Sequence, residues 1–237
     1  MAIKGILFDK DGTLVDFQAT WFAVGDLLAL QAADGDRQRA DELMKLAGYD
    51  YEQHCFVADS VFAAGTNAEV IDLWYPHKSP QERQAMLADY NAFTAVEGAR
   101  HSVPLPGGTD AIASLHGSGF RMGVATNDST SGAEKTLLAL GIAQMFEAAY
   151  GYDAVANPKP APDVLYAFSD LTGLKPSEIA MVGDNRHDLD MARAGGAGLA
   201  IAVLSGTGTR ETLAPIADVV LDSIADLPAY LASGQTA

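Results

Sequence analysis

The sequence predicts an α/β fold: a doubly wound parallel sheet with helices on both faces, interrupted by one all-helical insertion. Three observations carry that expectation. Short apolar runs alternate with helical stretches over residues 1–15 and 103–237, at the spacing of parallel βαβ units. Residues 16–102 break the rhythm, showing helical periodicity and no convincing strand. Several of the apolar runs end abruptly in polar or acidic residues, where open parallel sheets place their ligands.

The elements follow in chain order. Residues 3–8 form an apolar run that stops at Asp9-Lys10-Asp11-Gly12-Thr13, as a buried strand entering a turn does. Helical periodicity then covers 17–33, 37–46 and 81–96, which makes residues 16–102 a separate unit inserted after the first strand. The chain returns through Val103-Pro104-Leu105-Pro106-Gly107-Gly108, a stiff linker followed by a turn. Strands are expected at 120–125, 148–152, 179–182, 199–204 and 219–221, with helices at 109–116, 130–140, 162–172 and 188–194 between them. Residues 1–15 and 103–237 thus form one core of ordinary size, which needs no disulfide or structural metal to hold it.

Composition narrows the function. With 15 Lys+Arg against 31 Asp+Glu, the chain carries a formal charge of −16. Nonspecific binding to nucleic acid or anionic lipid is disfavoured, because both rest on neutralising phosphates with Lys and Arg. A small phosphorylated substrate remains compatible. A lone cysteine, Cys55, forbids an intramolecular disulfide, and no apolar stretch has the length of a membrane span, so a soluble cytoplasmic protein is expected. The oligomeric state is left open.

Four constellations could carry chemistry. Asp9 and Asp11 are two apart on extended chain, so both carboxylates can point to one side, and Gly12 permits the sharp turn that follows. Gly183-Asp184-Asn185-Arg186-His187-Asp188 ends another strand, and Asp188 can share a face with Asp184 if a helix starts there. Taken alone, Asp188 reads more simply as a helix N-cap. An oxygen-rich cluster of this kind suits a hard cation such as Mg²⁺. Thr126 and Asn127 follow a third strand, where a hydroxyl and backbone amides can hold a phosphoryl oxygen. Lys159 is bracketed by Pro158 and Pro160, which fix its backbone while the ammonium reaches inward.

Familiar alternatives fail. There is no Gly-Lys dipeptide for a phosphate loop, Gly206-Thr207-Gly208 lacks the third glycine of a dinucleotide fingerprint, and no Gly-x-Ser-x-Gly elbow occurs. The five histidines show no zinc spacing.

These residues together resemble the haloacid dehalogenase superfamily, in particular its phosphoglycolate phosphatase-like branch with a helical cap on a Rossmann-like core. The four motifs occur in the family's order. The resemblance implies a Mg²⁺-dependent phosphatase acting on a small phosphorylated metabolite. Asp9 would be the nucleophile that becomes an aspartyl-phosphate, and Asp11 the acid and then the base. Asp9, Asp184 and the backbone carbonyl of Asp11 would hold Mg²⁺, supported by Asp188. Thr126 and the amide of Asn127 would bind phosphoryl oxygens, and Lys159 would offset the negative charge. Lys10 stands where the family often has Phe, a position expected to be non-catalytic.

Asp11 argues against dehalogenation, which needs no leaving-group acid. A phosphonatase would need a cap lysine, for which only Lys45 and Lys78 are available. A β-phosphoglucomutase-like transfer is the main alternative, and a non-catalytic binding protein of the same fold is disfavoured by the intact charged set. Phe17, Trp21, Lys45, His54 and Arg100 are candidate cap contacts to substrate.

Overall fold

The computed structural model describes residues 2–234. Its elements are β1 (Gly5–Phe8), α1 (Phe17–Ala32), α2 (Arg37–Leu46), β2 (Tyr49–Asp50), β3 (Cys55–Phe56), α3 (Val61–Ala64), α4 (Asn67–Trp74), α5 (Pro80–Arg100) and α6 (Gly108–Gly117). There follow β4 (Arg121–Ala125), α7 (Thr130–Ala139), β5 (Ala148–Tyr150), α8 (Asp163–Thr172), β6 (Ile179–Gly183) and α9 (Arg186–Gly195). The chain ends with β7 (Leu199–Val203), α10 (Arg210–Leu213), β8 (Val219–Leu221) and α11 (Leu227–Ala232).

Six strands pair in parallel in the order β5-β4-β1-β6-β7-β8. Each residue of β1 is buried, because a central strand alternates its side chains between two covered faces. Ile6 and Phe8 join a core formed with Ile112, Leu115, Leu137 and Leu227 from α6, α7 and α11. Leu7 joins the opposite core, with Leu165, Phe168, Leu189 and Leu213 from α8, α9 and α10. The expected doubly wound sheet is therefore present. Its connections reverse direction around β1, and at the carboxyl ends of β4, β1 and β6 the reversal opens a crevice.

Residues between β1 and α6 have a hydrophobic cluster of their own, with Trp21, Val24, Leu28, Met44, Ile71, Trp74 and Tyr90 at its centre. Outgoing and returning chains run side by side: Asp16 N–H donates to the Val103 carbonyl at 2.8 Å, and Leu105 N–H to that of Leu14 at 3.2 Å. The insertion is helical with one exception. A ribbon pairs Tyr49 with Phe56 and Asp50 with Cys55, closed by the Asp50 carboxylate accepting from the N–H groups of Glu52 and Gln53. Two-residue strands are too short to show a period-2 pattern, so the expectation of helices alone had no means of finding them. Helices α3 and α4 were also not expected, although a capping box between Thr66 and Glu69 marks where α4 begins. The expected helix at 81–96 starts one residue earlier, behind the Ser79–Glu82 capping box, and runs on to Arg100.

Candidate active site

Asp9 is the first residue beyond β1, held in line with the sheet by its N–H donating to the Val182 carbonyl at 2.8 Å. The chain then turns sharply, with the N–H groups of Leu14 and Val15 both donating to the Lys10 carbonyl. Gly12 sits in that turn at φ 82°, and a Cβ there would lie 2.7 Å from the Asp184 carboxylate. Asp184 follows β6 directly, and its Oδ2 accepts from Thr207 N–H at 2.8 Å. Gly206 makes that approach feasible, since a Cβ would fall 2.0 Å from the same oxygen. Asp188 lies in the first turn of α9, where its Oδ2 accepts from Asn185 N–H at 3.0 Å. Asn185, not Asp188, is the N-cap of this helix, and that leaves the other carboxylate oxygen of Asp188 to face the crevice.

Lys159 enters from the loop between β5 and α8. Its ammonium lies 2.6 Å from Asp9 Oδ1 and 2.6 Å from Asp188 Oδ1, with all three side chains buried. One oxygen each from Asp9, Asp184 and Asp188 falls within 4.8 Å of the others. Three carboxylates therefore gather about one ammonium that bonds two of them, which leaves an excess of negative charge in a buried place. Burial first, then Asp188, Asp184 and Asp11, push the Asp9 carboxyl well above the usual range despite Lys159. Burial, reinforced by Asp188, pushes Asp184 up to about 7. For the Lys159 ammonium, burial works downward, but the charges of Asp188 and Asp9 outweigh it and raise its pKa. A set of carboxylate oxygens with surplus charge fits a hard divalent cation such as Mg²⁺.

Asp11 stands apart from this cluster. Its carboxylate lies 2.7 Å from the Lys10 ammonium and accepts from the indole N–H of Trp21 at 2.5 Å. Its side chain thus turns away from the Asp9–Asp184–Asp188 cluster, and the atom the resemblance assigns to the metal is its backbone carbonyl. Thr126 lies just past β4 and is buried, its hydroxyl oxygen accepting from Asp128 N–H at 3.1 Å. Asn127 spends its side-chain N–H on the carbonyls of Ala64, from the insertion, at 2.8 Å and Lys159 at 3.2 Å.

A cleft lies over these residues. Its floor includes Asp9, Asp11, Thr126, Asn127, Lys159, Asp184 and Asp188, and its other wall comes from Phe17, Trp21, Phe62, Ala64, Thr66 and Val70. Three lining residues carry buried polar atoms without a protein partner: Asn127 Oδ1, Asn185 Nδ2 and His187 Nδ1. Such atoms are costly unless a ligand or water satisfies them. Of the five candidate cap contacts, only Phe17 and Trp21 line the cleft. Lys45 lies over the Tyr51 ring at 5.6 Å, His54 sits in the ribbon turn, and exposed Arg100 pairs with Glu97 at 3.7 Å. Lys78 lies over Tyr75 at 6.0 Å, so neither cap lysine reaches the cleft to form a Schiff base. Sequence reasoning missed Thr207, which holds Asp184, and the wall formed by α3 and α4.

Among the described residues no helix is long and apolar enough to cross a membrane. A family model described as haloacid dehalogenase-like hydrolase matches residues 3–196. The phosphoglycolate phosphatase of Salmonella typhimurium is 30% identical over 242 residues, covering 95% of this chain and 91% of that protein. The one from Escherichia coli O157:H7 is 29% identical over 210 residues, covering 82% and 79%. Among solved structures, a HAD-superfamily hydrolase, subfamily IA, variant 1, from Geobacter sulfurreducens superposes with a TM-score of 0.66 at 23% identity, over 97% of this chain and 96% of that one. CbbY from Rhodobacter sphaeroides in complex with phosphate gives 0.67 at 24% identity, over 95% and 96%. At those identities the two structures speak to the fold.

Proposed function

The chain belongs to the haloacid dehalogenase-like hydrolases and is a phosphoric monoester hydrolase of the phosphoglycolate phosphatase-like kind; from that premise we propose that it hydrolyses a small phosphomonoester through an aspartyl-phosphate on Asp9. The observation that carries this reading is the setting of Asp9: a buried carboxylate bonded to an ammonium that it shares with Asp188, with one oxygen each of Asp184 and Asp188 within 4.8 Å.

Phosphoryl transfer is largely positioning and charge stabilisation, and a carboxylate approaches a phosphate dianion only where cations offset the repulsion. Lys159 supplies one positive charge. Mg²⁺ bound by Asp9, Asp184 and Asp188, with the Asp11 carbonyl, would supply the other next to the nucleophile and the phosphoryl oxygens. The Thr126 hydroxyl and the Asn127 amide hold the phosphoryl oxygens in line. One Asp9 oxygen forms a bond to phosphorus as the ester P–O bond breaks, and Asp11 gives a proton to the departing oxygen. Asp11 then takes a proton from water, whose oxygen attacks phosphorus and releases Asp9. Residues 16–102 serve as the cap that covers the cleft and excludes bulk water.

On the cap side the cleft wall is aromatic, aliphatic and neutral polar, with no cationic side chain among the described residues lining it. A carboxylate on the leaving group meets no countercharge there. The test is a panel of phosphomonoesters with Mg²⁺, in which phosphoglycolate is paired with sugar phosphates and other neutral leaving groups. Free phosphate is expected, with neutral leaving groups preferred, and chelation should abolish it. Transfer to a second sugar hydroxyl would instead indicate a mutase. No phosphate release from the whole panel would refute the reading.

A further inference from the structure

The site contains a second lysine-centred cluster that the proposed chemistry leaves unused. Lys10 is 1% exposed, although an ammonium buried without partners costs several kcal/mol. Its Nζ lies 2.7 Å from Asp11 Oδ2, 2.9 Å from Asp11 Oδ1 and 3.1 Å from Asp128 Oδ2. It also sits 5.0 Å from the centre of the Trp21 ring. Trp21 donates its indole N–H to Asp11 Oδ1 at 2.5 Å. Asp128 is itself anchored, its Oδ1 accepting from Ser129 N–H at 2.6 Å. Lys10 does not line the cleft, so it cannot be acting on substrate directly.

The two aspartates of the first motif are therefore held by separate sets. Lys159, shared with Asp188, holds Asp9, while Lys10, shared with Asp128, and the indole of Trp21 hold Asp11. The second set joins two parts of the molecule: Lys10 and Asp128 follow strands of the sheet, and Trp21 belongs to α1 of the insertion. With one donor spanning both oxygens of Asp11 and another fixing Oδ1, the carboxylate has a single orientation. One of those donors is present only while α1 is seated over the strand ends.

We infer that Lys10 and Trp21 are positioning residues for Asp11, fixing from the core and from the cap the carboxyl group that serves the leaving oxygen. This rests on the proposed role of Asp11 as the leaving-group acid. The arrangement ties that step to cap position, because lifting α1 removes the indole and frees the carboxylate to turn. It also accounts for a charged residue at a position expected to be indifferent.

The test compares kcat/KM for phenyl phosphate, whose leaving oxygen needs a proton, with that for 2,4-dinitrophenyl phosphate, whose phenolate departs without one. Asp11→Asn should lower the phenyl/dinitrophenyl ratio by on the order of a hundredfold or more, the usual weight of general acid catalysis. Trp21→Phe keeps the ring and removes the donor, and should lower the ratio about tenfold, as loss of a hydrogen bond to a charged group implies. Lys10→Met alone strands two partly buried carboxylates and risks misfolding. The double variant Lys10→Met, Asp128→Asn strands only Asp11, which keeps the Trp21 indole, and should lower the ratio by about a hundredfold, the cost of a misplaced catalytic group. The indole N–H resonance of Trp21 gives a readout independent of turnover and should move in the double variant. Equal losses on both substrates, or an unmoved resonance, would overturn the inference while leaving the role of Asp11 standing. An unchanged ratio in Asp11→Asn would overturn both.

Discussion

Replacing Lys159 with Met should destabilise the metal-free protein strongly at pH 8 and weakly at pH 5. The ammonium lies 2.6 Å from one oxygen of Asp9 and 2.6 Å from one of Asp188, and the three side chains are 5%, 8% and 0% exposed. Removing one member of a buried ion pair costs about 3–5 kcal/mol, because the partner is left charged and unsolvated. Here two partners are stranded, so the upper end applies at a pH where both are ionised. For a chain of this size each kcal/mol shifts Tm by about 2–4 °C, which places the loss on the order of 10–20 °C. The sign of the pH dependence follows from the carboxyls. Asp9 and Asp184 already hold their protons more tightly than an unfolded chain would, and loss of Lys159 extends this. Between the ordinary carboxylate range and about 7, the folded variant binds more protons than the unfolded one, so its stability falls as pH rises through that interval. Thermal melts at pH 5 and pH 8, with and without Mg²⁺, read this directly, and Mg²⁺ should restore part of the loss at pH 8. Exposed Lys175→Ala serves as comparison and should move Tm little. A Lys159→Met melt that matches the parent at pH 8, or a loss equal at both pH values, would refute the reasoning.

Two further outcomes follow from the same geometry. Burial raises the Asp184 pKa to about 7 and that of Asp9 well above its usual range, so below that point Mg²⁺ must displace protons and its apparent affinity should fall at least about tenfold per pH unit; calorimetric titration at pH 5.5, 6.5 and 8 checks this, and a flat affinity contradicts it. Asn127→Ala removes the side-chain bond to the Ala64 carbonyl of the insertion, and KM should rise several-fold with a smaller change in kcat, as expected for lost substrate binding and cap seating. An unchanged KM would show that this contact does not hold the cap.

The residues that sequence reasoning located share one property: each abuts a short apolar run or a rigid bracket. Asp9, Thr126 and Asp184 directly follow β1, β4 and β6, and Lys159 stands between two prolines. Local pattern is enough to place such residues at one end of a sheet. What local pattern cannot give is which way a side chain turns once the insertion packs down. The spacing allows the carboxylates of Asp9 and Asp11 to point to one side, yet that of Asp11 faces Lys10 and Trp21. Lys10 was expected to be non-catalytic because the resembled family often has Phe there, and of its two partners Asp11 is adjacent in sequence while Asp128 is brought to it only by the pairing of β1 with β4. Gly206 and Thr207 were compared only with a nucleotide fingerprint, whereas their part is to admit and hold Asp184. Lys45, His54 and Arg100 have plausible chemistry, but the cleft wall comes from α1, α3 and α4.

The aspartyl-phosphate is the central claim, and trapping it in Asp11→Asn is its most direct test. With 2,4-dinitrophenyl phosphate the first half-reaction needs no acid, while the second lacks its base, so the covalent species should accumulate. After acid quench, tryptic cleavage behind Lys4 and Lys10 isolates residues 5–10, in which Asp9 is the sole carboxylate side chain. Phosphoryl is expected on that peptide, and on none in Asp9→Asn. A phosphoryl group on any other residue, or turnover that persists in Asp9→Asn, would contradict the account.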